Sequence, residues 1–321
     1  RTIVIVPNKS LVGQTEEDYI TCGLDVGVYF GDRKELGHQH TICTWQSLNV
    51  LHKKTKKAEA EFPLDEFLKD VVCVMVDEVH MAKADVLKTL LTGPFAQVPM
   101  RWGLTGTIPK EEYEKISLIA SLGKVINQLS ASELQEKGVL AQCHVNIIQT
   151  QDFQTFRSYP EELTYLTSFK PRLSFMGKLV DEIRSGGNTL ILVDRIKTGE
   201  LLQEEIPGSV FIQGKTKLET REEEYQEVAT EQYKVIIATY GVAAVGINLP
   251  RIFNLVLVEP GKSFVRVIQS IGRGIRKAED KDYVQIWDIT SSCKYSKRHL
   301  TARKRFYKEA KYPYTVSKVK I

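Results

Sequence analysis

Two adjacent carboxylates and a histidine, Asp77-Glu78-Val79-His80, follow directly on the apolar run Val71-Val-Cys-Val-Met-Val76. Such a run reads as a fully buried parallel strand. In an open α/β sheet, ligands bind at the carboxyl ends of strands. Carboxylates placed there can hold a hydrated Mg²⁺ and activate a water, which is what nucleoside triphosphate hydrolysis needs. Taken alone, the same residues also suit a strand whose exit loop is merely acidic. The rest of the chain supplies further groups in order.

Thr105-Gly106-Thr107 puts two hydroxyls on a tight turn. Pro7-Asn8-Lys9 and Thr44-Trp45-Gln46-Ser47 place amides, hydroxyls and a cation just after strand-like runs. Groups of that kind suit phosphates and read no base. Further on come Ala238-Thr239, Gly246-Ile247-Asn248-Leu249-Pro250 and Gln269-Ser-Ile-Gly272-Arg273-Gly-Ile-Arg276. Arg273 and Arg276 are three apart and share a face if helical. A guanidinium fork suits the charge that develops on a transferring phosphoryl group. The Gly272-Arg-Gly274 run is no dinucleotide fingerprint, because it follows a helix-like stretch and lacks the third glycine.

The elements that would position these groups alternate. Strand-like runs cover Thr2–Val6, Thr41–Thr44, Val71–Asp77 and Arg101–Thr105, then Val145–Ile148, Thr189–Val193, Val210–Gln213, Val235–Thr239, Asn254–Val258 and Val284–Ile289. Amphipathic stretches such as Gly199–Glu205, Arg221–Thr230 and Phe264–Ile271 lie between them, and Ser132–Lys137 reads as a helix ending at Gly138. Alternation of this kind predicts parallel sheets with right-handed crossovers. Two series predict two α/β domains, residues 1–139 and 140–321.

Composition fits. With 321 residues, 42% hydrophobic and 26% charged, the chain can bury two ordinary cores. It has no run of about 20 apolar residues, as a spanning helix would need, and its opening Thr2–Val6 strand does not resemble a secretory leader. Five scattered cysteines without a CxxC pair argue against a zinc ribbon or disulfide framework, and a reducing, cytoplasmic setting is expected. The net charge of +4 is uneven: residues 281–321 hold 11 Lys/Arg and 3 Asp/Glu, a net of +8, which leaves −4 on the remainder. Lys297, Arg298, Arg303, Lys304, Arg305 and Lys308 offer phosphate contacts, whereas Tyr295, Phe306 and Tyr307 are expected to pack the last helix.

In order and spacing this set resembles the superfamily 2 helicases and translocases, in a DEVH variant. The resemblance implies two RecA-like domains side by side, ATP and Mg²⁺ as cofactors, and DNA or RNA, including branched forms and R-loops, as partner. It implies that Asp77, with Glu78, holds Mg²⁺ through water, and that Glu78 orients and deprotonates the attacking water. Arg273 and Arg276 would be arginine fingers. His80 would sense the second domain, and Thr105, Thr107, Gly246 and Gln269 would couple nucleotide state to movement. Asn8, Lys9, Thr44, Gln46, Ser47 and Thr239 would line a nucleic-acid path across the tops of both domains. The activity implied is ATP-driven unwinding, branch migration or remodelling in recombination, replication or repair, by a monomer in the cytoplasm of the cell or host. One departure is large. No GxxxxGK[ST] loop occurs, so a first domain truncated at its N-terminus is expected, inactive by itself and less stable than the second. The alternative is a nucleic-acid-binding module without catalysis.

Overall fold

The computed structural model describes residues 1–81, 84–106, 108, 112–243, 249, 251–263, 272 and 276–321. They form two compact units, Arg1–Gln128 and Leu129–Ile321.

In the first unit, β1 (Thr2–Val6), β2 (Val26–Phe30), β3 (Arg33–Lys34), β4 (His40–Thr44), β5 (Cys73–Val76) and β6 (Met100–Gly103) form one sheet in the order β3-β2-β4-β1-β5-β6. All pairings are parallel except β2 with β3. The central strands are apolar on both faces because both are covered. One side packs Ile3, Ile5, Val74 and Val76 with Leu48, Leu51, Leu87, Leu90, Leu91 and Phe95. The other packs Val4, Val6, Val28 and Ile42 against Leu11 and Val12. Among the described residues the helices of this unit are α1 (Lys9–Thr21), α2 (Trp45–Lys56), α3 (Leu64–Phe67), α4 (Ala84–Thr92) and α5 (Glu112–Leu122), and α1, α2 and α4 supply all of these covering side chains except Phe95. Strand β2 escapes the sequence reading because Gly27 interrupts its apolar run. A Cβ there would lie 2.3 Å from the ring of His38, so any larger residue would have to displace that side chain.

The described residues of the second unit form a sheet of seven strands, all parallel, in the order β13-β7-β12-β11-β8-β10-β9. They are β7 (Gln142–Thr150), β8 (Thr189–Val193), β9 (Ser209–Ile212), β10 (Val235–Thr239), β11 (Asn254–Val258), β12 (Tyr283–Ser291) and β13 (Tyr314–Val319). The helices among the described residues are α6 (Ala131–Glu136), α7 (Tyr159–Ser168), α8 (Lys170–Ile183), α9 (Ile196–Glu205), α10 (Leu218–Thr230), α11 (Tyr240–Ala243) and α12 (Lys294–Glu309). Strands β8 and β11 are buried along their whole length. Edge strand β13 is mostly exposed and carries little apolar signal.

The units divide between Gln128 and Leu129, ahead of the join read near residue 140. The reason is α6. Its capping box at Ser130 and Glu133 starts a helix whose Ala131 packs on the second core. Gln135 Nε2 then donates to the Ala141 carbonyl at 2.9 Å.

Candidate functional site

Strand β5 lies between β1 and β6, with Val76 opposite Ile5 and Gly103. Its backbone ladder runs past its last residue. Asp77 N donates to Ile5 O at 2.9 Å, Leu104 N to Val76 O at 2.8 Å, and Val79 N to Leu104 O at 3.0 Å. The exits of β5 and β6 are therefore laced together. Within this turn Glu78 adopts φ +47°, a left-handed conformation that costs a non-glycine residue on the order of 1 kcal/mol and that gathers at functional sites. Its N–H donates to Asp77 Oδ1 at 2.8 Å, which fixes the first carboxylate against the turn.

The left-handed turn brings the second carboxylate to the histidine. Glu78 Oε2 lies 3.5 Å from His80 Nδ1, and both side chains are largely buried. His80 Nδ1 also lies 2.7 Å from Thr105 Oγ1. Residues 25 apart in the chain thus share one hydrogen bond at the carboxyl end of the sheet. Both of these partners of His80 belong to its own unit. A carboxylate held in such a low-dielectric pocket can take a proton from a water within reach. No cluster of three or more metal-ligating side chains forms among the described residues. Mg²⁺ needs none, since it keeps several waters and takes one or two carboxylates together with substrate phosphates. Asp77 and Glu78 fit that pattern.

A second set gathers at the exits of β1 and β4, which pair in register with Val6 opposite Thr44. Each strand runs straight into a helix. Asn8 caps α1, with Oδ1 accepting from Leu11 N at 3.1 Å. Thr44 caps α2, with Oγ1 accepting from Ser47 N at 3.2 Å and lying 2.9 Å from Ser47 Oγ. Gln46 Nε2 donates to the Pro7 carbonyl at 3.0 Å, tying the two strand exits together. The Nδ2 of Asn8 is buried without a hydrogen-bond partner among the described residues, and Lys9 beside it is exposed. Neighbouring helix N-termini with an exposed lysine suit phosphate groups. Thr239, in the second unit, ends β10 opposite Val193 and leads directly into α11.

Thr107, Gly246, Gln269 and Arg273 lie outside the described residues. Arg276 is half-buried, its backbone bridges Leu140, and its carbonyl accepts from Lys281 Nζ at 2.7 Å.

The basic C-terminal segment needs one correction. Arg303, read as a phosphate contact, is fully buried. Its Nε and Nη2 donate to the Asp288 carboxylate at 2.8 and 2.9 Å, and Nη1 donates to Gly261 O at 2.7 Å. Tyr307 Oη donates to the same carboxylate at 2.7 Å. Position decides the matter: residues 300, 303, 306 and 307 make the inward stripe of α12, while Lys297, Arg298, Arg305 and Lys308 face solvent. Phe306 and Tyr307 pack inward as expected, and Tyr295 is half-buried.

A further buried network left no sign in the sequence, since Arg172 is one of several charged residues on its helix. Arg172 Nη2 donates to Glu259 Oε1 at 2.7 Å, and Ser296 Oγ to Glu259 Oε2 at 2.9 Å. Burial pushes the Glu259 carboxyl up, against the pull of Arg172 and Arg303.

Two mostly parallel α/β sheets, with Asp-Glu-x-His at one strand exit bonded to the threonine of the next, agree with the resemblance to superfamily 2 helicases. Two family models match separate parts of the chain. Residues 1–110 match the family described as type III restriction enzyme, res subunit, and residues 172–278 match the helicase conserved C-terminal domain. It is similar to the ATP-dependent DNA helicase uvsW of Enterobacteria phage T4, 22% identical over 95% of this chain and 62% of the relative. It also resembles putative helicase 22 of a Sulfolobus islandicus filamentous virus, 26% identical over 76% of this chain and 46% of the relative. The chain thus spans from about half to about three-fifths of these relatives' length. A fragment of a putative HsdR subunit of a type I restriction enzyme from Vibrio vulnificus shares the fold, with a TM-score of 0.69, 19% identity, all of this chain and 57% of that one covered. No helix among the described residues is long and apolar enough to cross a membrane.

Proposed function

We propose that this chain is the motor core of an ATP-dependent helicase or translocase that couples ATP hydrolysis to unwinding, branch migration or remodelling of branched DNA or RNA in recombination, replication or repair. The observation that carries the reading is the Asp77–Glu78–His80–Thr105 constellation at the exits of β5 and β6. Asp77 and Glu78 would hold Mg²⁺ through water, and the ion would supply charge neutralisation on the phosphates. Glu78 would orient the attacking water and take its proton. His80 would hold Glu78 and report its state to Thr105. Arg273 and Arg276 would stabilise charge on the transferring phosphoryl group, and Thr107, Gly246 and Gln269 would pass the change onward. Asn8, Lys9, Thr44, Gln46, Ser47 and Thr239 would grip the phosphate backbone of DNA or RNA. It would act as a monomer in a host's cytoplasm, a setting that the viral sources of its relatives support.

These 321 residues contain no GxxxxGK[ST] loop. On the motor reading, turnover would need a phosphate-binding loop of that kind, which these residues do not supply. The same observation supports a second reading, a module that grips nucleic acid without hydrolysis. Glu78→Gln in the intact natural protein separates the two. On the motor reading it lowers kcat at least about 10²-fold while nucleotide affinity changes little. Turnover within tenfold of the parent would remove Glu78 from its role, and an intact parent without nucleic-acid-stimulated ATPase would leave the binding module.

A further inference from the structure

Beyond the strand exits, the second unit carries an open groove of about 670 Å³ between the end of β7 and the start of α12, lined in part by Phe153, Lys294, Lys297 and Arg298. A second groove of about 510 Å³, lined by Tyr159, Lys262, Tyr295 and His299 among others, shares Arg298 with it. Phe153 is 88% exposed, the most exposed large hydrophobic side chain among the described residues. An aromatic ring left in water serves neither core.

The charge around the ring is one-sided for a structural reason. Nearby carboxylates are turned inward. Asp152 accepts from Thr150 Oγ1 and Ser291 Oγ, each at 2.6 Å, and from Tyr165 Oη at 3.3 Å. Glu162, fully buried, accepts the first free amides of α12 from Tyr295 N at 3.0 Å and Ser296 N at 2.7 Å. Lys297 and Arg298 are exposed and have no ion-pair partner among the described residues, and Lys294 lies over the Tyr295 ring, 5.4 Å from its centroid. These cations occupy the first turns of α12, which hold no acidic residue. That is the end of a helix where cations are disfavoured and anions are favoured. The helix gives up stability to gather positive potential beside an exposed ring.

Cations flanking a bare aromatic match unpaired nucleotides, whose phosphates pair with the cations and whose bases stack on the ring without regard to sequence. We propose that this groove binds single-stranded nucleic acid, with Phe153 as a stacking platform and Lys294, Lys297 and Arg298 on the phosphates. The proposal rests on the reading of the chain as a nucleic-acid motor and adds a contact site to it, apart from the strand-exit residues.

The test is fluorescence anisotropy with a labelled oligothymidylate and the 321-residue chain, titrated over a range of salt. Phe153→Ala should weaken binding at least about fivefold, the lower end for one lost base stack. Lys297→Ala with Arg298→Ala should flatten the slope of log K against log salt by about 1.4, two phosphates' worth on a single strand. All three positions are exposed, so circular dichroism melts should match the parent. Unchanged affinity and slope in both variants, with a parent that binds, would overturn the groove alone. A parent that binds no oligothymidylate would overturn the nucleic-acid reading as well. Variants that bind oligothymidylate normally but lose affinity for polyglutamate would make the groove a site for an acidic protein segment and overturn the proposal.

Discussion

His80 Nδ1 and Thr105 Oγ1 stand 2.7 Å apart, joining the exit of β5 to the exit of β6. The bond couples the residue that touches Glu78 to the turn beginning at Thr105. Thr105→Val keeps the shape and removes the hydroxyl. In a double-mutant cycle with His80→Ala, denaturant melts should give a coupling of about 0.5–1.5 kcal/mol, that of one hydrogen bond. Strictly additive effects would show that the two exits are not coupled through this pair. In the intact protein the same Thr105→Val change should lower the stimulation of ATPase by nucleic acid more than it lowers basal turnover.

Arg303 and Lys304 are adjacent in sequence and opposite in role. Arg303→Met leaves Asp288 and the Tyr307 hydroxyl buried around a missing cation. Removing one partner of a buried pair costs about 3–5 kcal/mol, so the second unit should melt at clearly lower denaturant concentration. Lys304→Glu lies on the partly exposed side and should leave the melt within about 0.5 kcal/mol. Equal effects in the two variants would contradict the inward stripe.

Lys281 carries a pH signature. Burial pushes its ammonium down from 10.5 to about 7. Below pH 7 the residue is charged in both folded and unfolded chains, and the folded state bears the whole desolvation cost. Between pH 7 and 10.5 the unfolded chain binds more protons, so this residue's contribution to stability rises with pH. Lys281→Met should therefore stabilise the second unit at mildly acidic pH. Its advantage should shrink by about 1.4 kcal/mol for each pH unit climbed within that window. Urea melts at several pH values read this directly, and a pH-independent difference would rule it out.

Lys9 and Gln46 offer the simplest probe of the phosphate contacts proposed at the strand exits. Lys9→Ala should lower the slope of log K against log salt by about 0.9 on duplex DNA, one contact's worth. Gln46→Ala removes the bond to the Pro7 carbonyl. It should weaken binding evenly across sequences, since no base is read there. A sequence-dependent loss would mean that the glutamine touches base edges.

By itself the sequence determined the class of fold and the place of the paired carboxylates at a strand exit. Asp77 and Glu78 are legible because a doubly covered parallel strand must be continuously apolar, and its end is marked by the first charged residues. The same rule made β1, β8, β10 and β11 readable. Only the tertiary structure decided which groups meet. The pairing of His80 with Thr105 depends on β5 and β6 being neighbours, which no local pattern encodes. The interrupted strand β2 and the exposed edge strand β13 form because partners supply the hydrogen bonds that their own composition does not announce. Charge was the least legible property. Lys and Arg read alike along a string, and α12 alone sorts Arg303 into the core and Lys297 and Arg298 into water, by turning each residue to its own side of the helix. Burial is set by the whole chain's packing, so a residue's charge becomes a structural pair or a binding contact only when the fold has chosen its face.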